Sequence, residues 1–123
     1  MYLSESQIND YERDGAIVIK GVFNEWIDCL RTGFDKVLSE PGEHGRENVA
    51  KGDAGSFFED YCNWQCIEEF KRWIVDSPAA EIAAQATRSK SIQVFHEHIL
   101  VKEPGTSKAT PWQSRYALLL CVW

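Results

Sequence analysis

The sequence predicts an α+β domain with its helices first and its best strand last. Two observations carry this. Apolar residues recur at helical spacing through Ile27, Leu30, Phe34, Val37 and Leu38, and again through Ile67, Phe70, Trp73 and Ile74. From Ser91 to Lys102 the period becomes two. Ile92, Val94, His96, His98, Leu100 and Lys102 then share one face of a strand, and Gln93, Phe95, Glu97, Ile99 and Val101 share the other. A chain of 123 residues is one domain or part of one, with room for a small core.

The elements follow in order. Ser4 and Gln7 have the spacing of a capping box, which predicts a short polar helix over 5–13, ended by Asp14-Gly15. The β-branched run Ala16–Lys20 lies between Gly15 and Gly21 and predicts a short strand. Asn24 can cap the second helix, which Gly33 weakens and Pro41-Gly42 stops. From Pro41 to Gly55, four glycines among mixed charges predict a long loop containing His44, read as a solvated side chain. A loop of that length inside a small domain often borders a binding site. Phe57, Phe58, Tyr61 and Trp64 form an aromatic cluster expected in the core. In the third helix, Glu68, Glu69, Lys71 and Arg72 are expected to face solvent. Ser77-Pro78 starts a fourth, alanine-rich helix running to about Thr87.

Composition narrows the function. The net charge of −6 does not suit a phosphate backbone or an anionic membrane surface, so neither nucleic acid nor membrane is expected as a partner. The N-terminal stretch MYLSESQINDYERDG has no apolar core of a signal peptide, and no apolar run approaches the ~20 residues that span a bilayer. A cytoplasmic protein is expected. Cys62 and Cys66 are four apart, so on a helix they would share a face, but with Cys29 and Cys121 they do not make a zinc pattern, and all four are expected to be free thiols.

The chemistry concentrates between Phe95 and Trp112, FHEHILVKEPGTSKATPW. His96 and His98 lie two apart on one strand face, a spacing that can present two imidazoles to one metal. A third ligand would have to come from elsewhere, since Glu97 points the other way. Histidines hydrogen-bonded in a pocket or core are the simpler reading.

That stretch, together with Asp76-Ser77-Pro78-Ala79-Ala80-Glu81-Ile82-Ala83 before it, resembles the phytanoyl-CoA dioxygenase family of iron(II)- and 2-oxoglutarate-dependent oxygenases. The opening helix, the strand after Asp14-Gly15 and the next helix are similar as well. The resemblance implies N-terminal helices followed by the first strands of a double-stranded β-helix, a jelly roll that this chain would leave incomplete. It implies Fe(II) and 2-oxoglutarate as cofactors, a small organic molecule as substrate, and His98 and Lys102 along the co-substrate pocket. The family-like part is residues 1–112. Residues 113–123 form a divergent apolar tail.

The family places H-Q-D directly after the P-W element, its His and Asp being two of three iron ligands. Here Trp112 is followed by Gln113-Ser114-Arg115, no histidine follows His98, and no aspartate follows Asp76. No metal ligand carries over, and no catalytic residue is assigned. The expected product is an inactive, truncated or frameshifted form. The alternative is a small binding domain that keeps a pocket near His96, His98 and Lys102. Exposed strand edges are expected to favour self-association.

Overall fold

The computed structural model describes residues 1–110. Its elements are α1 (Glu5–Asp14), a 3₁₀ turn (Asn24–Trp26), α2 (Ile27–Ser39), β1 (Arg46–Asn48), β2 (Phe57–Tyr61), α3 (Glu68–Asp76), α4 (Ala79–Ala86) and β3 (His98–Lys102). The α+β expectation holds in this form: helices beside one open, three-stranded antiparallel sheet of order β1-β2-β3.

Helix α1 starts at the expected capping box. The Ser4 hydroxyl accepts from the Gln7 N–H, and Gln7 Oε1 accepts from the Ser4 N–H at 2.9 Å. Gly15, at φ +77°, ends the helix by donating its N–H to the Tyr11 carbonyl. Arg88 then ties α1 to the end of α4, reaching Glu5, Asn9 and Glu12 at 2.8–3.0 Å. Between the two helices lies a first core of Leu3, Ile8, Ile82 and Ala86.

Residues 16–20 are not a strand. Ile17 and Ile19 pack on that first core while Val18 points to solvent, so the alternation is real, but the segment has no ladder partner among the described residues. Side-chain period reports which faces are buried; only a neighbouring backbone makes a strand. Asn24 also differs from its expected role, since it opens the 3₁₀ turn and α2 begins three residues later without a side-chain cap.

Helices α2 and α3 pack across Gly33. A Cβ at that position would come within 2.6 Å of Phe70 Cε1, so the residue that weakens the isolated helix is the one that lets the aromatic ring sit flush. Glu69 does not face solvent as expected: it leaves the charged face of α3 to meet Lys36 of α2 at 2.6 Å. Leu38, counted in the apolar stripe, is instead 45% exposed. The second core is Val37, Phe58, Phe70 and Ile99, flanked by Leu30, Phe34, Trp64, Ile67 and Val101. This core presses the helices onto one face of the sheet.

Strands β1 and β2 fall where a loop and an aromatic cluster were expected. In β2 the aromatics belong to a central strand whose Phe58 packs inward, while β1 is a three-residue partner inside the 41–55 segment. Strand β3 is shorter than the alternation from Ser91 suggests. Ile99 and Val101 face the core as expected, but Phe95, assigned to the same packed face, is 91% exposed and lies before the paired segment. Ile92, Val94 and His96 are exposed too. The tail 113–123 and the P-W element lie outside the described residues.

Candidate functional site

The pairing register selects the residues of the face turned away from the helices. Tyr61 opposes His98, Glu59 opposes Leu100 and Arg46, and Phe57 opposes Lys102 and Asn48. Because side chains alternate, Arg46, Glu59, Tyr61, His98 and Lys102 all emerge on this one surface.

At one end of it, Tyr61 is the centre of all three histidines in the chain. His44 stacks on it with centroids 4.2 Å apart and planes at 2°. His98 approaches edge-on at 5.6 Å, and His96 lies at 5.9 Å. His96 and His98 are 6.4 Å apart, ring to ring. His44 is therefore not a loose loop side chain. Its loop is fastened by Asp60, which is fully buried and accepts from the Gly42 N–H at 2.7 Å and from the Tyr61 N–H at 2.8 Å. Gly42 and Gly45 lie so close to that carboxylate that a Cβ on either would press on Asp60 Oδ2 at 3.2 Å.

Glu59 lies between two bases. Arg46 Nε reaches one carboxylate oxygen at 2.9 Å, and His98 Nε2 is 3.9 Å from the other. His98 Nε2 is buried and has no hydrogen-bond partner in the described structure. Lys102, at the far end of the same face, sits over the Phe57 ring at 5.6 Å. Four residue steps along the strand separate the two ends, about 13 Å.

Two connections hold this face in place. Glu97 accepts the Asn63 N–H on its carboxylate and the Cys62 N–H on its carbonyl, joining the approach to β3 to the turn after β2. At the other end, the K-E-P-G-T-S segment after β3 is bound to residues 53–56. Glu103 Oε2 accepts from the Ser56 N–H and hydroxyl, and the Pro104 carbonyl closes on Gly55. Hydrogen bonds from the Ser107 N–H, the Ser107 hydroxyl and Thr106 hold the Asp53 carboxyl below the usual carboxylate range.

Cys62 and Cys66 are exposed free thiols on the turn between β2 and α3, so their spacing of four does not place them on one helix face. They line an open cleft of about 590 Å³ together with Lys36, His44, Tyr61 and Asn63. Cys121 lies outside the described residues.

Of the residues predicted for the site, His96, His98 and Lys102 do share one surface. Glu59, Tyr61 and His44 complete it, and the sequence reading missed all three. A signal for β2 existed: Phe57, Glu59 and Tyr61 alternate within a β-prone run that starts just after Gly55. Nothing local could pair His44 with Tyr61. As for a metal, no three His, Cys, Asp or Glu side chains converge to hold an ion among the described residues. Glu59 is already engaged by Arg46, so the described donors do not fit a facial iron triad.

The architecture is a mixed α+β chain whose small open sheet carries Arg46, Glu59, Tyr61, His98 and Lys102 on its outer face, with Phe57 buried among them. The family model described as phytanoyl-CoA dioxygenase matches residues 11–122, and the chain belongs to that family. No curated protein and no solved structure matches it. The family relates the chain to Fe(II)- and 2-oxoglutarate-using dioxygenases acting on small molecules. No described helix is long and apolar enough to cross a membrane.

Proposed function

We propose that this chain carries the helical layer and the first strands of a double-stranded β-helix but not the H-x-D iron ligands that the family places after its P-W element, and that it does not turn over. On this reading residues 1–112 carry the family-like fold, and the H-x-D ligands are replaced inside the matched stretch 11–122. The open face of the sheet is the wall of a pocket. Lys102 and His98 line its 2-oxoglutarate side, Lys102 offering a cation to a carboxylate.

The observation that carries the reading is a local break in pattern. The sequence keeps the family element as far as Pro111-Trp112 and then has Gln113-Ser114 where the family has its H-x-D ligands. Three protein ligands on one side of the metal are what leave positions open for 2-oxoglutarate and oxygen, so losing two ends the chemistry. Anaerobic titration with Fe(II) and 2-oxoglutarate tests this. The visible charge-transfer band of the ternary complex should not form, and its appearance would overturn the assignment.

A second reading, a binding module without redox chemistry, is favoured by the Tyr61 corner, where three imidazoles meet on one ring. Nuclear magnetic resonance with 2-oxoglutarate and no metal tests whether this face binds without redox chemistry. Saturable shifts at His98 and Lys102 support the module, and their absence removes it.

A further inference from the structure

We propose that Cys62 and Cys66 form a reversible intrachain disulfide when the protein meets a hydroperoxide, making the turn after β2 a site of oxidative modification. This inference is independent of whether the chain binds iron or 2-oxoglutarate.

Three observations place the two thiols on one exposed, anchored turn. Both are exposed and free, and both line the same cleft. The intervening chain folds back on itself: the Asn63 carbonyl accepts from the N–H groups of Cys66 at 2.9 Å and Ile67 at 3.0 Å, closing a tight turn between the cysteines. Cys62 itself has φ +65°, a left-handed conformation that a residue with a Cβ seldom adopts and that holds only where neighbours impose it. Here the neighbour is Glu97, which anchors the N–H groups of Cys62 and Asn63. By contrast, Cys29 is half-buried and directs its sulfur at the Glu69 carbonyl.

The chemistry balances with the peroxide as oxidant. One thiolate attacks a peroxide oxygen, breaking the O–O bond and giving a sulfenic acid and water once the released hydroxide takes up a proton. The second thiolate attacks that sulfur and expels the hydroxyl as water. Two thiols and one hydrogen peroxide become one disulfide and two waters. The bond would lock the turn that leads out of Tyr61, so the redox state of the pair is coupled to the corner where His44, His96 and His98 meet.

The full chain is treated with hydrogen peroxide, denatured and alkylated with iodoacetamide. Alkylated thiols should fall from four to two. Tryptic peptide 52–71, which contains both cysteines, should escape alkylation and be lighter by two hydrogens than the unalkylated reduced peptide, and dithiothreitol before alkylation should reverse the change. Cys62→Ser or Cys66→Ser should each abolish the mass loss, and Cys29→Ser with Cys121→Ser should preserve it. The proposal is overturned if peptide 52–71 stays fully alkylated, if either cysteine goes to sulfinic or sulfonic acid without a link, or if the bond forms to Cys29, Cys121 or a second chain.

Discussion

The imidazole of His44 lies flat on the phenol ring of Tyr61, 4.2 Å between centroids and 2° between planes, although the two are 17 residues apart and on different elements. The contact joins the 41–45 loop to the outer face of the sheet, and it makes Tyr61 the ring that all three histidines approach. A double-mutant cycle with His44→Ala and Tyr61→Leu should give a coupling of about 0.5–1.5 kcal/mol in urea unfolding, the value typical of an aromatic pair. A coupling near zero would mean the loop is held by Asp60 alone.

Asp60 should be the most sensitive polar position in the domain. Its buried carboxylate accepts two backbone N–H groups, so Asp60→Ala strands the Gly42 amide and should cost about 3 kcal/mol. Faster amide exchange at Gly42 should accompany the loss. Unchanged exchange would show that the loop has another anchor.

Gly33 separates propensity from packing. Helix propensity alone predicts that Gly33→Ala stabilises by about 1 kcal/mol. The Phe70 ring, 2.6 Å from where the Cβ would lie, predicts the opposite sign, a loss of about 1–3 kcal/mol from overpacking. The shift of the urea midpoint decides, and Phe70→Leu in the same background should relieve the loss.

Asp53 gives the K-E-P-G-T-S segment a pH dependence. Its carboxyl is held below the ordinary value by Ser107 and Thr106. A depressed folded pKa contributes stability above the unfolded value, near 3.9, and that contribution is lost as pH falls through the folded pKa. Between about pH 5 and pH 2, amides of 106–108 should lose exchange protection in the wild type. Asp53→Asn should remove most of that pH dependence, and an identical profile in the variant would refute the link.

The outer edge of β3 has no strand partner among the described residues, and Phe95 just before it is 91% exposed. We propose that the chain self-associates along this edge. Light scattering should show mass rising with concentration, and Phe95→Lys should shift the curve towards monomer. A concentration-independent monomer would end the idea.

The sequence by itself determined the local structure and the ancestry. Ser4 with Gln7 started α1, the stripes of Ile27–Val37 and Ile67–Ile74 made α2 and α3, and Ile99 and Val101 chose the buried side of β3. These features are legible because capping and periodicity act within a few residues. The motif from Phe95 to Trp112 identified the family for the same reason, being a contiguous string. Only the tertiary structure decided what pairs with what. Residues 16–20 alternate as a strand should, yet have no backbone beside them. Phe57–Tyr61 became the central strand because Arg46–Asn48 on one side and His98–Lys102 on the other supply its hydrogen bonds. Glu59 lies between Arg46 and His98, and Tyr61 beneath His44, through register and loop path. Those are long-range choices, settled by burying Phe58 and Ile99 against the helices rather than by any residue's own preference.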